Sequence, residues 1–216
     1  MSRKRYAVLG LGQFGRSLAE ELCEAGCEVL AVDRNPKLVE NIRDRVTSAA
    51  VADVKDPEAL AELVNDTFDG AIVAMGDSLE SCILATLQLK ELGVPMIYAE
   101  ASDSQRAEVL TRIGANKVIS PERDYGRRLA RGLAGHDLID FVPLTIGYGV
   151  CEIVAPDWCV GKSLAELNLR HDKKLAVIAI RDLKGRVQVV PGADTVIAAE
   201  DQLTIVGQDT DLADFR

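Results

Sequence analysis

The sequence predicts an α/β protein: a doubly wound parallel sheet over about residues 4–120, a bridging helix, and a small α+β domain to the end. Three observations carry the prediction. The apolar run Ala7–Leu9 leads into Gly10, Gly12 and Gly15, in G-x-G-x-x-G spacing where a helix should open. Short β-type runs then alternate with helical patterns as far as Ile119. From Asp137 onward strands follow one another quickly, with little helix between them.

The first strand and glycine turn make a Rossmann-like nucleotide site the leading expectation. In such a turn the first glycine permits the bend, the second lets the backbone approach a pyrophosphate, and the third lets helix and strand pack closely. The N–H groups and positive dipole end of the helix at Phe14–Ser17, a stretch that includes Arg16, face the phosphates. Glu28–Val32 reads as the second strand. It ends at Asp33, about 20 residues after the turn, where an acid accepts hydrogen bonds from ribose hydroxyls.

Pro36–Val46 reads as helix, Ser48–Ala52 as strand, and Pro57–Val64 as helix with Pro57 at a first-turn position. Phe68–Met75 is a strand, followed by the helix Leu79–Leu92 with Asp77 or Ser78 as N-cap and Gly93 as its stop. Pro95–Glu100 and Lys117–Ile119 are two further strands around the helix Ser104–Ile113. Ligands of a doubly wound sheet sit outside the carboxyl ends of its strands. The candidates there are Gly10–Gly15, Asp33, Arg34, Asp53, the segment Ala74–Ser78 with Gly76 inside it, and Glu100. Asp53 has two readings, beside the adenine or as a cap on the next loop. Arg34 has two as well, but with Asp33 repelling a 2′-phosphate the solvated arginine is favoured.

Pro121–Ala134 reads as a helix whose Tyr125, Leu129 and Leu133 form a single apolar stripe, with arginines mostly elsewhere. It bridges to another subunit or packs back on its own domain. Residues 1–135 are thus read as a nucleotide-binding domain carrying this helix, and 136–216 as the small domain, with strands at Leu138–Leu144, Val150–Ala155, Leu175–Ile180, Val187–Val190 and Gln202–Val206. Only Ser163–Leu167 and Asp209–Phe215 look helical there, and no nucleophile–base motif occurs.

Composition narrows the function further. The chain has 216 residues and is 48% hydrophobic but only 4% aromatic, so its core is built from Ala, Val, Leu and Ile, as suits covered parallel strands. A net charge of −9 without a basic stripe argues against nucleic acid as a partner. No apolar run approaches a membrane span and no signal-peptide core is present, so a soluble cytoplasmic protein is expected. The five cysteines include no C-x-x-C pair and read as buried thiols, and His136 and His171 read as surface or linker residues.

Taken together, the turn Gly10–Gly15, Val32-Asp33-Arg34-Asn35-Pro36, the segment from Ala74, residues Ile113–Gly126 with their Pro121-Glu122-Arg123-Asp124, and Ser163–Arg170 in a small last domain resemble the RCK family, regulators of potassium conductance, in its bacterial Ktr/Trk uptake form. The resemblance covers nearly the whole chain. It implies a non-enzymatic cytoplasmic regulatory subunit, peripheral to the inner membrane through a membrane potassium-translocating subunit. It also implies dimers that assemble into an octameric ring, with ATP/ADP or NAD(H) changing the ring's shape. The sequence departs from the ATP-sensing branch at Gln13, where an arginine approaches the terminal phosphate; Arg16 either substitutes for it or is a solvated charge. The resemblance further implies Mg²⁺ or Ca²⁺ at Glu122, shared across a two-fold axis, and cyclic di-AMP near Asn168, Arg170 and Pro191. The alternative is a small NAD(P)-dependent oxidoreductase. It requires an acid or base near the nicotinamide, and of the His, Lys and Tyr residues only Tyr98 stands on a strand of the first domain near its end.

Overall fold

The computed structural model describes residues 3–134 and 138–215, without the side chains of 131–134 and 138. His136 and the Leu133 side chain, and with them one third of the expected stripe, lie outside the described residues. The chain divides into two compact units, the first running to Arg123 and the second starting at Asp124.

In the first unit, strands and helices alternate: β1 (Arg5–Leu9), α1 (Gln13–Glu24), β2 (Glu28–Asp33), α2 (Pro36–Ile42), β3 (Ser48–Val51), α3 (Pro57–Leu63), β4 (Gly70–Val73), α4 (Leu79–Glu91), β5 (Ile97–Glu100), α5 (Ser104–Ile113) and β6 (Lys117–Ile119). The strands pair in parallel in the order β3-β2-β1-β4-β5-β6. The order reverses at β1, whose Leu9 pairs with Val32 on one side and Val73 on the other, so the crevice of this sheet opens above the carboxyl end of β1. The two-residue pleat sorts the side chains: Ala7 and Leu9 join one core with Val73, Leu89 and Leu110, while Val8 joins another with Ala19, Val39 and Ile42. Small and branched aliphatic residues let helices lie close on both faces.

Several boundaries differ from the sequence expectation. The helix from Pro36 ends at Ile42 and tightens into a 3₁₀ turn over Arg43–Arg45, because that charged run has no face to bury and the chain must reverse toward β3. Thr47, just beyond, accepts the Val29 N–H at 3.0 Å. The strand expected over Phe68–Met75 is only Gly70–Val73; Phe68 is buried but carries the Arg5 guanidinium 4.6 Å above its ring. The strand from Pro95 starts at Ile97, because a proline cannot donate to the ladder. Ser78 rather than Asp77 caps α4, accepting the Ser81 N–H at 3.3 Å.

The helix α6 (Pro121–Ala134) begins in the first unit and continues into the second. The second unit adds β7 (Leu138–Thr145), β8 (Tyr148–Val154), α7 (Leu164–Leu167), α8 (Leu169–Asp172), β9 (Ala176–Arg181), β10 (Val187–Val189), β11 (Gln202–Gln208) and α9 (Asp209–Ala213). Its described strands form an antiparallel sheet in the order β10-β9-β11-β8-β7. Ile153, Val177, Leu203 and Ile205 fill its core with Phe215 and Leu169. Arg128 of α6 forms a bidentate pair with Asp140 of β7, which holds the Asp140 carboxyl below its usual range. Two features escaped the sequence reading: a 3₁₀ turn at Asp157–Cys159, and the short α8, which follows α7 once Asn168 takes a left-handed φ of 42°.

Candidate nucleotide cleft

A cleft of about 330 Å³ opens above the carboxyl ends of β1, β2, β3 and β4. Its floor is the glycine turn. Gly10 adopts φ +97°, and a Cβ there would strike the Ala74 carbonyl and the Met75 side chain. Gly15 is buried in α1, and a Cβ on it would strike the Gly10 carbonyl oxygen. Gly12 differs: an ideal Cβ there meets nothing within 4 Å, and its φ of −60° suits any residue. Steric contacts within the protein demand glycine at 10 and 15, and none demands it at 12, which is the N-cap of α1.

Asp33 stands at the end of β2 with both oxygens engaged. Oδ2 accepts the Leu11 N–H at 2.7 Å and Oδ1 accepts the Asn35 N–H at 2.8 Å. An ionised carboxylate offers about four lone-pair sites, so two remain for hydroxyl donors while the other two hold the turn to the strand end. Asn35 caps α2 by accepting the Lys37 N–H at 3.0 Å. Asp53 accepts the Lys55 N–H at 3.0 Å, as a cap on the next loop does, and it also lines the cleft. Arg34 lines it too and is exposed.

The structure brings Gly10, Gly12, Asp33, Arg34, Asp53 and Ala74 to one cleft. It brings Met75, Asp77 and Ser78 there as well, but not Gln13, Phe14, Gly15, Arg16, Gly76 or Glu100. Gln13 and Arg16 are exposed on the first turn of α1 and do not line the cleft. The Phe14 side chain instead lines a separate, mostly apolar groove with Tyr6, Leu18 and Tyr98. Gly76 and Glu100 stand behind the cleft wall, where the Gly76 N–H donates to Glu100 Oε2 at 3.3 Å. Burial first, and then the nearby Glu122 and Asp77 charges, push the Glu100 carboxyl above its usual range. Sequence reasoning missed Asn35, Leu38 and Ser81 as cleft residues and Arg106 as a neighbour of Gly76. The Asp33-x-Asn35-Pro36 pattern is the signal for Asn35, as an N-cap followed by proline. Arg106 arrives from α5 and left no local signal.

Glu122 is exposed in the first turn of α6, and the described residues contain no group of three or more metal-ligating side chains. In the second unit, Asn168, Arg170 and Pro191 line one cavity of about 220 Å³ together with Leu164, Val177 and Ala193. No described helix is long and apolar enough to cross a membrane.

Comparison with known proteins places this architecture. The TrkA-N domain matches residues 6–121 and the TrkA-C domain residues 151–216. Ktr system potassium uptake protein C of Bacillus subtilis (strain 168) is 36% identical over 214 residues, covering 99% of this chain and 96% of its own. Ktr system potassium uptake protein A of the same organism is 34% identical over 216 residues, covering 100% and 97%. Among solved structures, the GsuK channel bound to NAD superposes with a TM-score of 0.70 at 19% identity, over 99% of this chain and 39% of that one. GsuK bound to ADP does so with a TM-score of 0.52 at 20% identity, over 58% and 33%. This chain therefore spans well under half of those channel chains, and at such identities the likeness is one of fold.

Proposed function

Because this chain belongs to the RCK family, with a TrkA-N domain followed by a TrkA-C domain and similarity to the Ktr potassium uptake proteins over nearly its whole length, we propose that it is a cytoplasmic subunit that gates potassium uptake by binding an adenine nucleotide. The family works by regulation rather than catalysis. The observation that carries the nucleotide reading is the contrast within the turn: Gly10 and Gly15 are required by their own surroundings, and Gly12 by none of them. Asp33, with two lone-pair sites left, receives the ribose hydroxyls; Ala74 and Asp53 flank the base. The terminal group of the ligand then lies toward Gln13 and Arg16 at the open end of the turn. The GsuK channel binds NAD and ADP on the same fold, which supports a dinucleotide or a diphosphate as well as ATP.

In this reading residues 1–135 work as the nucleotide lobe with its bridging helix and 136–216 as the second lobe. Tyr125 and Leu129 are exposed on α6, 65% and 49%, which supports burial against a second copy and assembly of dimers into an octameric ring. A two-fold axis through that assembly supplies the second carboxylate that Glu122 needs to hold Mg²⁺ or Ca²⁺, since one acid is too few for a hard cation. The cavity around Asn168, Arg170 and Pro191 takes a cyclic dinucleotide, with the exposed Arg170 guanidinium as the phosphate donor. The subunit works at the cytoplasmic face, peripheral to the inner membrane through its potassium-translocating partner.

The oxidoreductase reading finds no support in the geometry of Tyr98, which lines the apolar groove beside Phe14 rather than the cleft. The direct test is calorimetry with ADP, ATP and NADH, alongside potassium uptake in cells lacking their own regulatory subunit. Micromolar binding and restored uptake are expected. Absence of binding by all three nucleotides would defeat the proposal.

A further inference from the structure

We propose that a hydrogen-bonded relay ties the wall of the nucleotide cleft to the root of α6 through Gly76, Glu100, Ala101 and Ser120, with Glu100 and Arg106 as positioning residues for that wall. The inference rests on the nucleotide reading of the cleft. Met75, Asp77 and Ser78 line the cleft, whereas Gly76, between them, is turned toward Glu100. A Cβ on Gly76 would lie 2.9 Å from both Cδ and Oε1 of that carboxyl group, so a side chain there would push the carboxyl aside. The Gly76 peptide is held at both ends. Its N–H donates to Glu100 Oε2 at 3.3 Å, and its carbonyl accepts from Arg106 Nη1 at 2.9 Å. Asp103 holds the Arg106 guanidinium at 3.3 Å.

Beneath both segments lies Cys82, 1% exposed. Its S–H reaches the Met75 carbonyl at 3.2 Å and the Glu100 carbonyl at 3.8 Å. Burial pushes this thiol up to about 11, so it stays a donor at neutral pH. The wall and the end of β5 therefore rest on one buried group as well as on each other.

The path continues past the last strand pair. Glu100 pairs with Ile119, and beyond that register Ala101 donates its N–H to the Ile119 carbonyl at 2.9 Å. The Ala101 carbonyl would then be left without a ladder partner in a site that is 1% exposed. Ser120, itself 3% exposed, donates its hydroxyl to that carbonyl at 2.7 Å, and α6 begins at the next residue. Alanine would fill the space without the bond, so the hydroxyl fixes the root of α6 to the strand end that holds the cleft wall. A ligand that displaces Met75–Ser78 must either break these bonds or carry Glu100, Ala101 and Ser120 with it. That is the condition for one site to bias a distant element.

The test is amide hydrogen exchange across residues 121–130 with the full chain free and saturated with ADP, with affinity measured in parallel by calorimetry. The wild type should change its exchange there when ADP binds. Ser120→Ala should still bind ADP with a dissociation constant within about threefold, yet lose about threefold or more of that response. Glu100→Ala should lose it as well, and Glu100→Gln, which keeps an acceptor for the Gly76 N–H, should restore it. The double variant Glu100→Ala/Ser120→Ala should lose no more than the worse single one, because both lie on one path. The relay is overturned if the wild type binds ADP with no change in α6, or if Ser120→Ala and Glu100→Ala respond like the wild type. If calorimetry shows no nucleotide binding at all, it is the reading of the cleft that fails first, and the relay falls with it.

Discussion

Single residues in the cleft make separable predictions. Gly12→Ala should cost no more than about 1 kcal/mol of stability, since open space surrounds the new methyl and only the N-cap preference for glycine over alanine is lost. The same substitution should weaken ADP binding about tenfold; equal affinity in calorimetry would remove the reason for glycine at that position. Asp33→Ala should cost at least as much, because charge-assisted bonds are worth about 1.5–3 kcal/mol each and the carboxylate also tethers the Leu11 and Asn35 N–H groups. Gln13 is exposed at the open end of the turn. If it meets the terminal phosphate, Gln13→Arg should shift preference toward ATP over ADP by about 1 kcal/mol. Identical ratios in both proteins at one ionic strength would show that position 13 faces away.

Glu100 supplies a pH prediction at the same scale. Desolvation, then the Glu122 and Asp77 charges, raise its folded-state value above 4.5, against the lowering influence of the Gly76 N–H; Arg106 and the protonated Cys82 are its other close neighbours. A raised folded value means that the native state binds the proton more readily than the unfolded chain does. The associated stability is complete below the ordinary carboxylate range and is lost as pH rises through the raised value. Glu100→Gln escapes that loss. Thermal melts of the two proteins should therefore diverge in favour of the glutamine variant as pH rises above the ordinary carboxylate range, and parallel curves would contradict the burial argument.

At the level of the element, α6 is the unusual helix. It carries arginines on most of its surface, yet Tyr125 and Leu129 recur at a four-residue interval and stay exposed, and Arg128 is committed to Asp140 within the second unit. An apolar stripe left open on a helix is a surface awaiting a partner. Leu129→Glu should shift the protein to a smaller species in light scattering, whereas Leu129→Met should not. A wild type that is monomeric at micromolar concentration would end this account of α6. Reducing the Gly76 clamp and the Ser120 bond to one path predicts, in contrast, effects on α6 that are independent of assembly.

For the whole molecule, the two units hold different candidate sites, the cleft above β1 and β4 and the cavity beside Asn168. A ligand specific to the native state stabilises by about 2.7 kcal/mol at a hundredfold excess over its Kd. ADP at such an excess should raise the melting temperature by about 5–10 °C, and Arg170→Ala should leave that shift intact. The same substitution should abolish any shift caused by cyclic di-AMP. Loss of the ADP shift in Arg170→Ala would mean that the two sites are not the separate ones assigned here.

Much of this was legible in the chain. The alternation of Val, Ala and Leu runs with capped helices fixes a parallel sheet, because two-sided burial leaves no polar alternation in the strands. The glycine spacing and Asp33 located the crevice, since turn sterics and strand ends are local properties. Local pattern failed where a residue's partner is remote in sequence. That Gly10 presses on the Ala74 carbonyl depends on where β4 ends, some 60 residues later, whereas the contact of Gly15 with the Gly10 carbonyl is local. The sequence places the Phe14 backbone N–H at the helix N-terminus; that its side chain lies in a groove with Tyr6, Ile72 and Tyr98 depends on strands that follow far along the chain. Arg106 and Ser120 reach Gly76 and Ala101 across 30 and 19 residues. Sequence alone determined the alternation, the turn and the acid at its side. Which of those residues share a wall, and which bonds join that wall to the next helix, was decided only when parallel crossovers brought distant strand ends together, because hydrogen bonds and steric exclusion act through space and not along the chain.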